Sequence, residues 1–142
     1  MSVFPTKILL ATDGSKQAAS ATQTAAELAQ KTGSELHVIH VGETLGPGYS
    51  GYVGYEEGVL PSAQEELERQ AQEVLEAQVE GITVVEGARV QSHMRLGRPD
   101  KEIVTLGEEI GAGLIVMGSV SESVVRHAHC PVLVVRKEGS DK

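Results

Sequence analysis

Apolar residues along this chain come in two spacings, and the two alternate. Lys7-Ile8-Leu9-Leu10-Ala11-Thr12 is an apolar run stopped by Asp13-Gly14-Ser15, which predicts a buried strand ending at a turn. Residues Lys16 to Gln30 then place Ala18, Ala21, Ala25, Ala26, Leu28 and Ala29 at helical positions, with Ser15 as an N-cap and Gly33 just past the end. Leu36-His37-Val38-Ile39-His40-Val41 is a second strand, and Gly42 to Leu60 a loop with six glycines and all three tyrosines. Ser62 to Glu80 predicts a second helix with Leu67, Ala71, Val74, Leu75 and Gln78 on one face, ended by Gly81. Ala88 to Met94 alternates as a third strand. After a turn at Gly97-Arg98-Pro99-Asp100, Pro99 suits the first position of a helix that runs from Lys101 to Ile110 on Ile103, Leu106 and Ile110. Leu114 to Gly118 is a fourth strand, Ser121 to His127 a short helix, and Pro131 to Val135 a fifth strand before a polar tail.

Apolar strands separated by helices predict a parallel sheet covered on both faces. With right-handed crossovers, the expected fold is a doubly wound, open, five-stranded α/β domain of order 3-2-1-4-5, Rossmann-like, as one unit over residues 1–142. In such sheets ligands bind beyond the carboxyl ends of the strands, where the order reverses, here between strands one and four.

Composition narrows the chemistry. Aromatic residues are 3% of the chain and Trp is absent, so the core has to be aliphatic. The formal charge of −8 repels phosphate backbones and argues against nucleic-acid binding. Cys130 is the sole cysteine, so no intrachain disulfide forms and a reducing compartment is expected. The first residues lack the basic start, apolar run and cleavage site of a signal peptide, and no apolar stretch is long enough for a bilayer, so cytoplasmic residence is the expectation.

The candidate surface joins Ala11, Thr12 and Asp13 to Val41 and to Met117, Gly118, Ser119, Val120 and Ser121. Asp13 has two readings: a carboxylate accepting from a ribose, or a cap for the helix that follows. Val41 ends the second strand, as an apolar strand end or a contact for a base. Gly118 to Ser121 leads into the last helix, where free amides and hydroxyls hold an anion or cap the helix. Arg98 is a candidate phosphate contact or a solvated turn residue. The Gly42–Leu60 loop serves as a lid, with a tyrosine over a ligand, or as a flexible connector.

No metal centre is expected. His127, His129 and Cys130 have no converging partners, His37 and His40 point to opposite faces of their strand, and His93 stands alone. Neither a G-x-S-x-G elbow nor a Walker-type loop is present, so no catalytic residue is assigned.

Taken in order, several of these pieces resemble the universal stress protein family: Lys7 to Ser15, Gly33 to Val41, Gly97-Arg98-Pro99 with its helix, Ala112 to Ser119, and Ser121 to Val135. The resemblance spans nearly the whole chain. It implies a cytoplasmic, homodimeric stress-response protein that pairs through its last strand, Val132 to Val135. It also implies ATP or AMP as ligand in many members, with Mg²⁺ accompanying ATP, Val41 backbone against adenine, and phosphates held by a G-x2-G-x9-G-[ST] motif after strand four. This chain departs from that motif. It has one Gly-Ser, Gly118-Ser119, followed directly by Val120-Ser121-Glu122-Ser123, and the G-x2-G part is missing. Deletion of the stretch, or its omission from the recorded chain, leaves the same join. The expected activity is weak or absent ATP binding in a regulator without efficient chemistry. The alternatives are a homodimeric interaction module and a slow ATPase, the latter with only Asp13 as an obvious carboxylate at the edge.

Overall fold

The computed structural model describes residues 4–12, 16–42, 59–86, 90–118 and 122–135, with backbone alone over 16–18, 59–62 and 81–86. Five strands, β1 (Lys7–Ala11), β2 (Glu35–Gly42), β3 (Val90–Leu96), β4 (Leu114–Met117) and β5 (Val132–Val134), form one parallel sheet in the order β3-β2-β1-β4-β5. The helices between them are α1 (Lys16–Thr32), α2 (Val59–Glu86), α3 (Pro99–Ile110) and α4 (Glu122–His127).

Side chains alternate across the central strands, so each strand feeds two cores. Ile8 and Leu10, Leu36 and Val38, Leu114 and Val116 point to one face, where Ala21, Ala25, Ala26 and Ala29 of α1 and Leu75 of α2 cover them. Leu9, Ile39, Ile115 and Met117 point to the other, under Ile103 and Leu106 of α3 and Val124 of α4. An alanine face lets α1 lie close to the sheet. Burial of all these groups is the main driving force, at roughly 25 cal/mol per Å² of apolar surface.

The helix ends follow local chemistry. Gly33 (φ 69°) and Gly111 (φ 72°) adopt the left-handed conformation that stops α1 and α3, and the Gly111 amide donates to Glu108 O and Gly107 O. Pro99 opens α3 at its first turn, as its missing amide allows.

Three boundaries differ from expectation. The second helix does not end at Gly81. It runs from Val59 to Glu86, because one glycine in a helix interior costs only about 1 kcal/mol against alanine and does not outweigh the residues around it. The third strand is displaced from 88–94 to Val90–Leu96, since it pairs with β2 from Leu36↔Val90 to Gly42↔Leu96. Its alternation holds: Val90 and Met94 pack into the core under α1 and α2, while His93 and Arg95 face the α3 side. Of the expected Gly42–Leu60 loop, Gly42 closes β2, Val59 and Leu60 open α2, and the rest lies outside the described residues, as does the Ser15 cap.

Candidate functional site

The sheet register builds the carboxyl edge. Ala11 is paired with Ile39 on one side and Met117 on the other, so the ends of β1 and β4 stand side by side. Val41 lies two residues further along β2 and stands above that junction, half-buried, with Arg95 as its partner on β3. Thr12 and Met117 are buried, and Gly118 follows at the rim. The structure thus brings together Ala11, Thr12, Val41, Met117 and Gly118 from three strands. Asp13, Ser119, Val120 and Ser121 lie outside the described residues.

The backbone at this edge is partly committed. The Thr12 amide donates to Ile39 O at 3.1 Å, and the Thr12 carbonyl accepts from His40 Nδ1 at 3.0 Å. A carbonyl only accepts, so Nδ1 of His40 carries the proton. His40, which sequence reasoning left without a role, therefore fixes the end of β1. On the outer sides, the Val135 amide donates to Met117 O at 2.8 Å and the Gly97 amide to Gly42 O at 3.0 Å, so both ladders extend past their strands. Gly42 is required for its size: a Cβ there would stand 2.9 Å from Ala71 Cβ and 3.0 Å from Leu96 Cδ2, too close for α2 to pack as it does.

The phosphate side of the expected site is acidic. Arg98, the candidate phosphate contact, is mostly exposed and donates to Asp100 Oδ2 at 3.0 Å. The Ser123 hydroxyl also donates to Asp100, and these bonds hold the Asp100 carboxyl below its ordinary range, Ser123 contributing most. The network ties the start of α3 to the start of α4. Glu122 occupies the first turn of α4, which is only six residues long. Asp100 and Glu122 thus put negative charge near the first turn of α4, and like charge disfavours an anion there.

The histidines divide. His127 Nδ1 lies 2.9 Å from Ser123 O and donates to it, the use expected of histidine in a last turn. His37 and His40 point to opposite faces, as the strand period requires. His93 is not alone: its Nε2 lies 2.9 Å from His37 Nδ1. Strand periodicity within β2 could not show this, because the partner sits on a strand 56 residues away. Burial raises the Cys130 thiol above its ordinary value, which disfavours the thiolate. Among the described residues, no group of three or more His, Cys, Asp or Glu is arranged to hold a metal ion, and no helix is long and apolar enough to cross a membrane.

Comparison with known proteins places this geometry. The model of the universal stress protein family matches residues 5–120 and 117–136. Residues 117–120 fall in both stretches, as a lone Gly-Ser matching both ends of the family's glycine-rich segment would. A universal stress protein of Methanocaldococcus jannaschii is 34% identical over 145 positions, covering 92% of this chain and 82% of the relative. Universal stress protein YxiE of Bacillus subtilis is 30% identical over 146 positions, with 92% and 98% covered. These alignments are longer than the 142-residue chain, although they take in only part of it, so the relatives carry residues that this chain lacks. Among solved structures, a universal stress protein from Burkholderia pseudomallei superposes with TM-score 0.71 at 30% identity, covering 95% and 98% of the two chains. The universal stress protein of Archaeoglobus fulgidus in complex with dAMP superposes with TM-score 0.70 at 28% identity, covering 92% and 98%. Sequence match over nearly the whole length and superposition on solved members agree: the chain belongs to the universal stress protein family.

Proposed function

We propose that this protein is a cytoplasmic regulator that binds an adenine nucleotide at the carboxyl edge of β1 and β4, and that it is not an efficient enzyme. One observation carries the reading: Ala11 pairs with both Ile39 and Met117, so the switch point of the sheet opens between strand ends that carry Thr12, Val41 and Gly118. Open α/β sheets take ligands at this place, and the related Archaeoglobus protein is in complex with dAMP. Asp13 would take the ribose and Val41 the base, with Ser119, Val120 and Ser121 on the phosphate side. The nucleotide is AMP-like rather than ATP. The chain has no glycine ring for a triphosphate, Arg98 is engaged by Asp100, and Glu122 adds negative charge. Losing two or three charge-assisted hydrogen bonds, at roughly 1.5–3 kcal/mol each, weakens ATP binding by orders of magnitude. Mg²⁺ would enter only with ATP. Isothermal titration with AMP, dAMP and ATP, on protein of confirmed intact mass, should rank ATP weakest. Micromolar ATP affinity would refute the ranking, and no binding of any of the three would refute the nucleotide reading.

A second reading, a homodimeric interaction module, is favoured by the other edge of the sheet. Among the described residues β5 pairs with β4 alone, and Leu133 on β5 and Val125 on α4 are exposed to 37% and 52%. An unpaired apolar edge strand readily takes a second copy across a two-fold axis. Light scattering should find a dimer whether or not nucleotide is present.

A further inference from the structure

On the α3 side of the sheet, three titratable groups form a chain across two strands. Glu35 and His37 lie on β2, His93 on the edge strand β3. Glu35 Oε1 lies 3.1 Å from His37 Nε2, and His37 Nδ1 lies 2.9 Å from His93 Nε2, with the rings 5.2 Å apart and 19° from parallel. His37 is 3% exposed, so it has no water to fall back on.

We propose that the His37–His93 pair, anchored by Glu35, is an acid-operated latch that holds the edge strand β3 against β2 and opens when the pair takes its second added proton. The proton positions follow from the partners. The Glu35 carboxylate accepts, so His37 Nε2 donates. Neutral His37 then accepts at Nδ1 from the N–H of His93. One added proton leaves this bond in place, since a single N–H still lies between the two facing nitrogens. A second puts an N–H on both, and at 2.9 Å two cations and two donors face each other. Coulomb repulsion and the loss of the only acceptor then act together to separate the rings. The charged groups around the pair do not prevent this. Lys7 of β1 is the register partner of Glu35, and Arg95 of β3 adds positive charge. On α3, Glu109 favours the charged form of His93 but is 2.9 Å from Arg95, with Glu102 at 3.8 Å on the same guanidinium.

The shift of His93 has the sign this needs. Burial first, then His37 and Arg95, hold its ring below the ordinary 6.5. An unfolded chain takes that proton more readily, so the stabilisation is full above about pH 6.5 and is lost as pH falls through the folded value.

The latch is tested on the wild-type chain by NMR of ¹⁵N-labelled histidine with amide hydrogen exchange, between pH 7.5 and 4.5. The pair should take up its two protons in two separated steps, and β3 amides should lose protection at least tenfold at the lower step while β1 and β4 keep theirs. Uptake of both protons in a single step, or unchanged β3 protection, overturns the proposal. In His93→Gln the low step disappears and β3 stays protected through the same range. Opening of that variant at the wild-type pH also overturns it, by locating the acid response elsewhere, for example in the carboxylates around Arg95.

Discussion

At Gly113 the close approach of chain to chain leaves no room for a side chain. A Cβ there would collide with Thr6 Oγ1 and stand 3.0 Å from Thr6 Cβ, in the segment where the Gly113 amide donates to Lys7 O at 3.0 Å. Gly113→Ala should therefore cost about 1–3 kcal/mol, read as a lower urea midpoint with unchanged slope. Asp100 carries a different expectation. Its carboxyl is depressed, so what it contributes is full above about pH 4 and fades as pH falls through its folded value. Asp100→Asn should flatten that acid limb in a pH series of thermal melts. Removing the negative charge beside Arg98 should also raise affinity for anionic ligands, whereas unchanged AMP affinity would show that the network does not border the site. At this scale the sequence was informative where a residue's role depends on its own neighbours, as with Gly33 and Pro99. It was silent where the partner lies on another strand. Nothing local to His93 points to His37, and nothing near His40 points to the carbonyl of Thr12. Both depend on the register of β2 between its neighbours.

Elements were legible in proportion to how far hydrophobic burial decides them. β1 and β4 are nearly continuous apolar runs, and β2 is one interrupted by His37 and His40, because both faces of these strands are covered, and their spacing alone was enough. β3 is an edge strand with polar groups facing α3, so its pattern misplaced it by two residues at each end. In α2 a glycine was read as a stop, although a glycine stops a helix by adopting positive φ, and the described glycines that do so are Gly33, Gly97 and Gly111. Gly81→Ala is the direct check: within a continuous helix it should stabilise the fold by roughly 0.5–1 kcal/mol, while a loss of stability in denaturant melts would mean that the helix turns there. For α1 the alanine face sets a tolerance. Ala25, fully buried against the sheet, should not accept leucine without lowering the melting temperature by several degrees.

For the whole molecule, the two edges of the sheet have unlike fates. The β3 edge carries the Arg95 charge and the polar Gln91, Ser92 and His93, which discourages further strands from adding there. The β5 edge is short and apolar. Val134→Lys should then yield monomers by light scattering, and Leu133→Lys, at a more exposed position, should do the same with less harm to the fold; a dimer unchanged in both would exclude β5 as the interface. Doubly wound topology and the place of the switch point were readable from the order of apolar runs. The acid-rich surroundings of the phosphate side were not, because Arg98, Asp100 and Ser123 meet only after α3 and α4 pack together.

The aliphatic interior has a spectroscopic consequence. With no Trp in the chain and Tyr49, Tyr52 and Tyr55 confined to one seven-residue stretch, the two cores are dark in tyrosine fluorescence. Emission from this protein therefore originates in the segment between β2 and α2, where all its tyrosines lie. A change in that emission on adding AMP would be a label-free readout of whether this segment responds to nucleotide, with unfolding followed by circular dichroism.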